Sequence, residues 1–260
     1  MPRGLSHSCT VNTPRPAVEV LGVPIARLDA ATALDEIERL YESPTPELVA
    51  YVNAHTLNLA QKDETYRSLL RRAGIILGDG AGVMIAARLN RAPLPENLNG
   101  SDFNPKILER AAARGWPAYF VGGRPGVAER TATHWTRALP GLEVVGTNDG
   151  YFERNGSSEV AAAIRSSGAG LVMVAMGNPL QEWWLDEHLA ATGARLGVGV
   201  GAFFDFSTGE LSRAPAWMNR AGVEWMYRLY KEPRRLWRRY VLGNPLFLSR
   251  VAKERLSRTR

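Results

Sequence analysis

The sequence has little of what several protein classes require. It contains one cysteine, Cys9, so an internal disulfide and a cysteine-rich metal site are excluded. None of its apolar runs approaches the roughly 20 residues of a membrane-spanning helix. Residues 1–17 are polar and contain proline, without the apolar stretch of a signal peptide, so we interpret them as a disordered tail. These absences predict a cytoplasmic protein.

Two kinds of catalytic motif are also absent. The four histidines share no spacing typical of metal ligands, and no Asp-x-Asp pair occurs, so we expect chemistry without a metal or other cofactor. Neither a Walker phosphate loop nor a Gly-x-Gly-x-x-Gly fingerprint is present. This argues against a nucleotide-dependent oxidoreductase or epimerase, which stays open as an alternative.

The net charge of +6 is unevenly distributed along the chain. Residues 213–260 contain 13 Lys and Arg against three Glu, a charge of +10, which leaves −4 for the rest of the chain. Such an asymmetry indicates that the C-terminal segment meets something anionic. We therefore expect an α/β catalytic domain over residues 18–212 and a basic helical appendage over residues 213–260.

Apolar strand-like segments alternate with helical patterns along the body of the chain. This alternation predicts an α/β fold, with a mostly parallel, Rossmann-like sheet and flanking helices. The predicted strands cover residues 18–26, 48–54, 74–79, 117–123, 142–147, 170–177 and 194–201. Several of them are apolar on both faces, as expected when helices cover both sides of the sheet.

Polar or glycine-rich clusters follow six of these strands. In an open α/β sheet, ligands bind outside the carboxyl ends of the strands, so six clusters at one edge predict a binding site there. The clusters begin at Asn53, Asp79, Gly122, Asn148, Gly177 and Gly201.

Asp79 follows the apolar stretch "GIILG" and precedes Gly80 and Gly82. One interpretation is a helix N-cap, in which the carboxylate accepts hydrogen bonds from first-turn amides. The other is a general base, because a carboxylate in a partly apolar pocket has a raised pKa. The glycines would let a substrate approach the backbone closely.

Two other clusters have two interpretations each. The pair Gly122 and Gly123 precedes a helix whose free amides could bind phosphate, or it forms only a tight turn. Gln181 and Glu182 stand in the first turn of another helix. Gln181 could contact a sugar or a base, or Glu182 could be a surface residue that favours the helix dipole.

The C-terminal segment has two opposed faces. On a regular helix, Arg234, Arg235, Arg238 and Arg239 fall in an arc of about 140°, opposite Leu236, Trp237, Tyr240 and Val241. This pattern is typical of a helix lying in a membrane interface. A docked helix with a solvated basic face and a nucleic-acid-binding tail are the alternatives, although the acidic body offers no extended basic groove.

An ordered set of motifs resembles the WecG/TagA/CpsF glycosyltransferases, glycosyltransferase family 26, over about residues 18 to 245. The motifs are "VNAHTLNLA", "GDGAGV", "NLNGSDF", "YFVGGRPG", "GNPLQEWW", "GVGAFFDFSTG" and "RAPAWMNRAGVEWMYRLYKEPRRLWRRY". The resemblance implies an inverting, metal-independent transferase that moves a sugar of the ManNAc, ManNAcA, glucose or glucuronate type. The donor would be a UDP-sugar, and the acceptor a sugar linked to polyprenyl diphosphate in surface polysaccharide, exopolysaccharide or teichoic acid synthesis.

The resemblance also implies roles for individual residues. Asp79 matches the catalytic base, and Asn53 matches an asparagine near the acceptor. The other residues expected to bind substrate are Asn97, Asp102, Gly122, Gly123, Gln181, Glu182, Arg228, Arg235 and Arg238, with the three arginines closing over the donor diphosphate. Two positions depart from the family pattern: Tyr51 stands where threonine is frequent, and Asn97 where arginine is frequent.

The expected partners are therefore the UDP-sugar, the lipid-linked acceptor and an anionic membrane surface, with no nucleic acid and a possible homo-oligomer. The expected location is the inner face of the cell membrane, with peripheral attachment.

Overall fold

The computed structural model describes residues 15–152, 156–212, 214–215, 218 and 223–258, without the side chains of Arg235 and Arg258. Most of the predicted N-terminal tail, residues 1–14, lies outside this description. Within the described ranges, no helix is long and apolar enough to cross a membrane.

The centre of the molecule is a six-stranded sheet in which every pair of neighbouring strands is parallel. Its strands lie in the order β4-β3-β8-β7-β5-β6. They are β3 (Glu47–Val52), β4 (Ile75–Gly78), β5 (Ala118–Gly122), β6 (Val144–Asn148), β7 (Leu171–Ala175) and β8 (Leu196–Gly199). The predicted parallel α/β fold is confirmed. All carboxyl ends therefore lie at one edge, called here the carboxyl edge.

Helices cover both faces of this sheet. The helices of the body are α1 (Ala30–Tyr41), α2 (Ala54–Ala60), α3 (Glu64–Arg72), α4 (Ala81–Leu89), α5 (Gly100–Arg114), α6 (Val127–Ala138), α7 (Gly156–Ser167), α8 (Leu180–Thr192) and α9 (Phe203–Ser207). Helices α1, α5, α6 and α9 bury their apolar faces on one side of the sheet. Helices α2, α3, α4, α7 and α8 do so on the other side. Burial of these faces is the main source of stability.

Side-chain caps determine where several helices begin. Asp29, Asn53, Asp63 and Asn99 accept backbone N–H groups in the first turns of α1, α2, α3 and α5, which satisfies donors that have no partner within the helix. The cap at Asp63 also separates α3 from α2, which precedes it.

The prediction of one strand over residues 18–26 is wrong. The segment is a hairpin of β1 (Ala17–Val20) and β2 (Val23–Ala26), which pair antiparallel apart from the main sheet. Leu21 and Gly22 both have positive φ, 51° and 76°, as a two-residue hairpin turn requires.

The C-terminal segment contains α10 (Glu224–Lys231), α11 (Pro233–Trp237), a π-helical turn (Arg238–Leu242) and α12 (Gly243–Arg258). Helix α12 is joined to the body. Phe247 and Val251 are fully buried in the core formed with α2 and α4. Asn58 of α2 donates to Gly243 O at 2.8 Å and accepts from Arg250 at 2.7 Å. The appendage proposed from residue 213 onward therefore ends in a helix that completes the core.

Candidate active site

Asn53 and Asp79 lie side by side at the carboxyl edge. Strands β3 and β4 pair with Val52 opposite Gly78, so the next two residues face each other, and the Asp79 N–H donates to Val52 O at 2.9 Å. The sequence places both residues here because each directly follows an apolar strand of the parallel sheet.

The Asn53 carboxamide connects helix α2 to Asp79. Its oxygen accepts the backbone N–H groups of His55 and Thr56 at 3.0 and 3.1 Å, and its amide group is a hydrogen-bond donor to the Asp79 carboxylate. The cap fixes which way the amide turns, because only the oxygen accepts hydrogen bonds. Asn53 thus orients Asp79.

Asp79 is not a helix cap. The N-cap of α4 is Gly80, and no side chain caps that helix. The backbone N–H of Gly80 donates instead to Asn97 Oδ1 at 2.8 Å. Asn97 therefore holds the turn that carries Asp79, and the carboxylate is not used in building the helix.

Opposing influences act on the pKa of Asp79. Desolvation by burial is the largest and raises the pKa, and the negative charge of Asp102 adds to it. The positive charges of Arg228 and Arg239 and the hydrogen bond from Asn53 lower it, and the net pKa is raised above the ordinary value of an aspartate. A carboxylate with a raised pKa is a stronger base for a hydroxyl proton.

Asp102 reaches this region from the first turn of α5. Its backbone N–H is capped by Asn99 Oδ1 at 3.0 Å, and its carboxylate accepts from Asn99 Nδ2 at 2.8 Å. Asn99 is buried, and its amide nitrogen holds the carboxylate of Asp102, which is an exposed residue.

The C-terminal segment brings Arg228 and Arg239 to Asp79. The Arg228 guanidinium lies 5.5 Å from the centre of the Phe206 ring, which fixes α10 against α9. Arg239 stands in the π-helical turn and also acts on His55, whose pKa falls to about 4 through burial first and then the nearby positive charges of Arg239 and Lys62. His55 is therefore neutral at neutral pH.

Arg238 and Arg239, which are neighbours in the chain, are placed differently. Arg238 is exposed, and its guanidinium lies 5.5 Å from the ring centre of Trp237, whereas the charge that acts on Asp79 belongs to Arg239. A contact between Arg238 and the donor diphosphate stays a prediction. The Arg235 side chain lies outside the described residues.

Gly122 and Gly123 form a tight turn with its amide groups in use. A Cβ on Gly122 would lie 2.4 Å from Ala175 O. The Gly123 N–H donates to Ala175 O, and the Gly123 carbonyl accepts from Gly150, both at 3.0 Å. These contacts give the two glycines a structural role, and their contact with a phosphate stays a prediction. Helix α6, which follows, begins without a side-chain cap.

Gln181 and Glu182 are buried. Gln181 Oε1 accepts the N–H groups of Gly177 at 3.1 Å and Gly201 at 2.9 Å, which joins the loops after β7 and β8. Gln181 Nε2 donates to Glu182 Oε1 at 2.7 Å. The interpretation of Glu182 as a surface residue is wrong, because its side chain is buried. The Gln181 amide is engaged by these partners, and its contact with a substrate stays a prediction.

The backbone of three glycines stays open at the carboxyl edge. Gly80, Gly177 and Gly201 have positive φ, and a Cβ built on any of them meets no atom within 4 Å. Strands β8 and β7 lie at the centre of the sheet, between Asp79 and the Gly122–Gly123 turn. A ligand extending from Asp79 across the sheet would lie against these glycines.

Tyr51 is close enough to Asp79 for the negative charge of Asp79 to act on its hydroxyl. It is buried, and its hydroxyl donates to Asn104 Oδ1 at 2.8 Å. Burial, followed by the negative charge of Asp79, raises the pKa of Tyr51. Both departures from the family pattern, Tyr51 and Asn97, thus lie beside Asp79.

Sequence reasoning missed Arg239, and it placed Asn178 in the cluster after β7 without a role of its own. The regular helical phase assigned Arg239 to the outer basic arc. Asn178 lies in the quoted "GNPLQEWW" motif, and nothing local marked its side chain as fixed. Among the described residues, no group of three His, Cys, Asp or Glu side chains could hold a metal ion.

Two comparisons relate this chain to known proteins. Residues 18–260 match the sequence profile of the family described as "Glycosyl transferase WecG/TagA/CpsF family". A relative from Bacillus spizizenii, named N-acetylglucosaminyldiphosphoundecaprenol N-acetyl-beta-D-mannosaminyltransferase, is 35% identical over 194 residues, which cover 75% of this chain and 74% of the relative. This chain belongs to the WecG/TagA/CpsF family of glycosyltransferases.

Proposed function

We propose that the protein transfers a hexosyl group, N-acetylmannosaminyl first among the candidates, from a UDP-sugar to a hydroxyl of a polyprenyl-diphosphate-linked N-acetylglucosamine. The named activity of the Bacillus spizizenii relative supports this acceptor and sugar. The observation that carries the proposal is Asp79. It lies at the carboxyl edge with a raised pKa, is oriented by Asn53 and faces two arginines.

In the proposed reaction, Asp79 is the general base. The acceptor hydroxyl oxygen attacks the anomeric carbon of the donor as its proton passes to Asp79. The bond from the anomeric carbon to the phosphate oxygen breaks, and UDP leaves with the electron pair. Attack opposite the leaving group inverts the anomeric centre. Because the raised pKa favours proton uptake, Asp79 suits this role.

Arg228 and Arg239 are the groups that we assign to the leaving diphosphate. Two guanidinium groups close to Asp79 offer paired N–H donors to phosphate oxygens, and the charge that develops on UDP needs such neutralisation. In this proposal, turnover needs no divalent cation. Activity in EDTA equal to activity in Mg²⁺ is the expected result.

The C-terminal segment also supports peripheral membrane attachment. Trp237, Val241, Leu242 and Leu246, called here the apolar patch, are exposed by 42 to 56%. Arg234 and Arg238 are exposed beside them, and basic residues near an anionic leaflet contribute roughly 1 kcal/mol each. We propose that this patch lies in the membrane interface, where the lipid-linked acceptor is found.

The test is a transfer assay with a short-chain polyprenyl-diphosphate N-acetylglucosamine and a panel of UDP-sugars. UDP release together with a product one hexosyl unit heavier by mass spectrometry is the expected result. Failure of every UDP-sugar to give a product, with folded protein that also binds no UDP, would overturn the proposal.

A further inference from the structure

Glu182 is a buried carboxyl group that the proposed reaction does not use. It is fully buried, and three donors surround it. Asn178 Nδ2 and Gln181 Nε2 donate to Oε1 at 2.6 and 2.7 Å, and the Tyr66 hydroxyl donates to Oε2 at 3.0 Å. Burying a carboxylate costs free energy that a neutral side chain would avoid. The presence of Glu182 at this position therefore calls for an explanation.

A carboxylate fixes the orientation of any carboxamide that contacts it. It has only acceptor oxygens, so both neighbouring amides must turn their nitrogen atoms toward Glu182. For Gln181, the oxygen is thereby directed at the N–H groups of Gly177 and Gly201. A glutamine at position 182 would allow either amide orientation and would not enforce this arrangement.

The same constraint directs the oxygen of Asn178 away from Glu182. Asn178 is half-buried, next to Gly177 in the loop after β7. Gly177 is its neighbour in the chain, and Gln181 joins Gly177 to Gly201. Both glycines leave open space where a Cβ would stand.

Asn178 also makes a hydrogen bond with the Tyr66 hydroxyl that acts to lower the pKa of Tyr66, as a donated N–H group does. Among the described residues, no donor to Asn178 Oδ1 is found. The Asn178 amide oxygen is thus an acceptor at the end of β7, one of the two central strands, and Glu182 holds the amide that carries it.

We propose that Asn178 is a further binding residue of the donor site, which Glu182 positions so that its amide oxygen accepts a hydrogen bond from a hydroxyl or N–H group of the nucleotide sugar. The inference rests on the proposed function, because it takes the ligand at this edge to be a UDP-sugar. It assigns Asn178 to substrate contact and Glu182 to positioning.

The test compares Asn178→Ala, Glu182→Gln and the double variant at about pH 8, above the pKa of Glu182. A hydrogen bond between neutral groups contributes about 0.5 to 1.5 kcal/mol, so Asn178→Ala should raise the donor KM by roughly 2- to 12-fold with little change in kcat. Glu182→Gln should raise it in the same direction. If Glu182 acts through Asn178, adding Glu182→Gln to Asn178→Ala should raise the KM no further.

The matched control is Asn90→Ala. Asn90 also donates its side-chain amide at 2.8 Å, to Glu19 O at the end of α4, away from the carboxyl edge, and its removal should leave the donor KM unchanged. The Kd for UDP, measured by calorimetry, separates the two parts of the donor. A weaker Kd for UDP assigns the contact to the nucleotide, and an unchanged Kd with a raised KM assigns it to the sugar.

Additive effects in the double variant, or a donor KM and UDP Kd unchanged in Asn178→Ala, would overturn the inference. Wild-type protein that binds UDP while Asn178→Ala binds and reacts equally well would remove this inference alone. Wild-type protein that neither binds UDP nor uses any UDP-sugar would remove the proposed function, and this inference with it.

Discussion

The side-chain amide of Asn53 is a hydrogen-bond donor to the Asp79 carboxylate, while its oxygen caps α2 through His55 and Thr56. One side chain thus builds a helix and orients the proposed base. Because the hydrogen bond lowers the pKa of Asp79, a change at position 53 should appear in the pH dependence of the reaction.

Asn53→Asp tests this connection. Aspartate also caps helices well, so α2 should keep its cap, but the donor to Asp79 is lost and a second carboxylate takes its place. The pKa of Asp79 should therefore rise, and the acid limb of the kcat/KM profile should move to higher pH. Asn90→Asp, at the end of α4, is the control that should leave the profile in place. An unmoved acid limb in Asn53→Asp would contradict the coupling.

The tail arginines should differ in effect. Arg228 and Arg239 both lower the pKa of Asp79, so Arg228→Gln and Arg239→Gln should each raise it. Each should also weaken donor binding by roughly 10-fold or more, the cost of losing a charged hydrogen bond. Arg234→Gln and Arg238→Gln remove exposed charges and should change the donor KM far less. A larger loss with Arg238→Gln than with Arg239→Gln would contradict the placement of these side chains.

The apolar patch should be separable from catalysis. Replacing Trp237, Val241 and Leu242 by serine removes exposed apolar side chains without touching Arg228 or Arg239. The affinity for anionic vesicles, measured by cosedimentation, should fall by roughly tenfold or more, because apolar burial in the interface is lost. Turnover of a water-soluble acceptor should stay within a few-fold of the wild-type value. Leu256→Ser, about 20 Å further along α12, is the control. Unchanged vesicle binding in the triple variant would remove the membrane role.

Point substitutions are needed here because deletion of the whole tail has a second effect. A chain ending at Ser212 lacks Phe247 and Val251, which are fully buried against α2 and α4. Loss of a buried phenylalanine side chain alone costs about 3 to 5 kcal/mol. Deletion would therefore mix loss of stability with loss of membrane contact.

The stability of the protein should depend on the ionisation of Glu182. Burial raises its pKa from 4.5 to about 7, so the folded protein holds that proton more tightly than the unfolded chain. The free energy of unfolding should therefore fall as the pH rises from about 4.5 to about 7, by at most about 1.4 kcal/mol per pH unit. Urea titrations at several pH values give the free energy of unfolding as a function of pH. This free energy should fall less steeply with pH in Glu182→Gln than in the wild type. The same pH dependence of the free energy of unfolding in both proteins would mean that Glu182 does not titrate in this range.

Much of the fold and the centre of the site follow from the sequence. Apolar runs separated by helical patterns define the parallel sheet, and residues directly after such runs must lie at its carboxyl edge. Asn53 and Asp79 could therefore be placed at the same edge before the structure, and the pairing of β3 with β4 makes them neighbours. The hairpin turn could not be predicted. Leu21 and Gly22 form it within an apolar run, without the polar residues that usually mark a turn.

The remaining differences come from packing that no local pattern records. The π-helical turn Arg238–Leu242 shifts the helical phase, so Arg239 faces Asp79 and Arg238 faces solvent. Glu182 looks like a surface residue in the first turn of a helix. Its burial depends on Tyr66 and Asn178, and Tyr66 lies 116 positions away in the chain.

The most direct test of the central claim is the activity of Asp79→Asn. Asparagine keeps the size and polarity of the side chain but cannot take up the proton of the attacking hydroxyl group. Transfer should fall by roughly 10² to 10⁴-fold, with unchanged thermal stability and an unchanged Kd for UDP. Asp63→Asn, a cap substitution on α3, should retain full activity. Transfer by Asp79→Asn within a few-fold of wild type would contradict the assignment of Asp79 as the base.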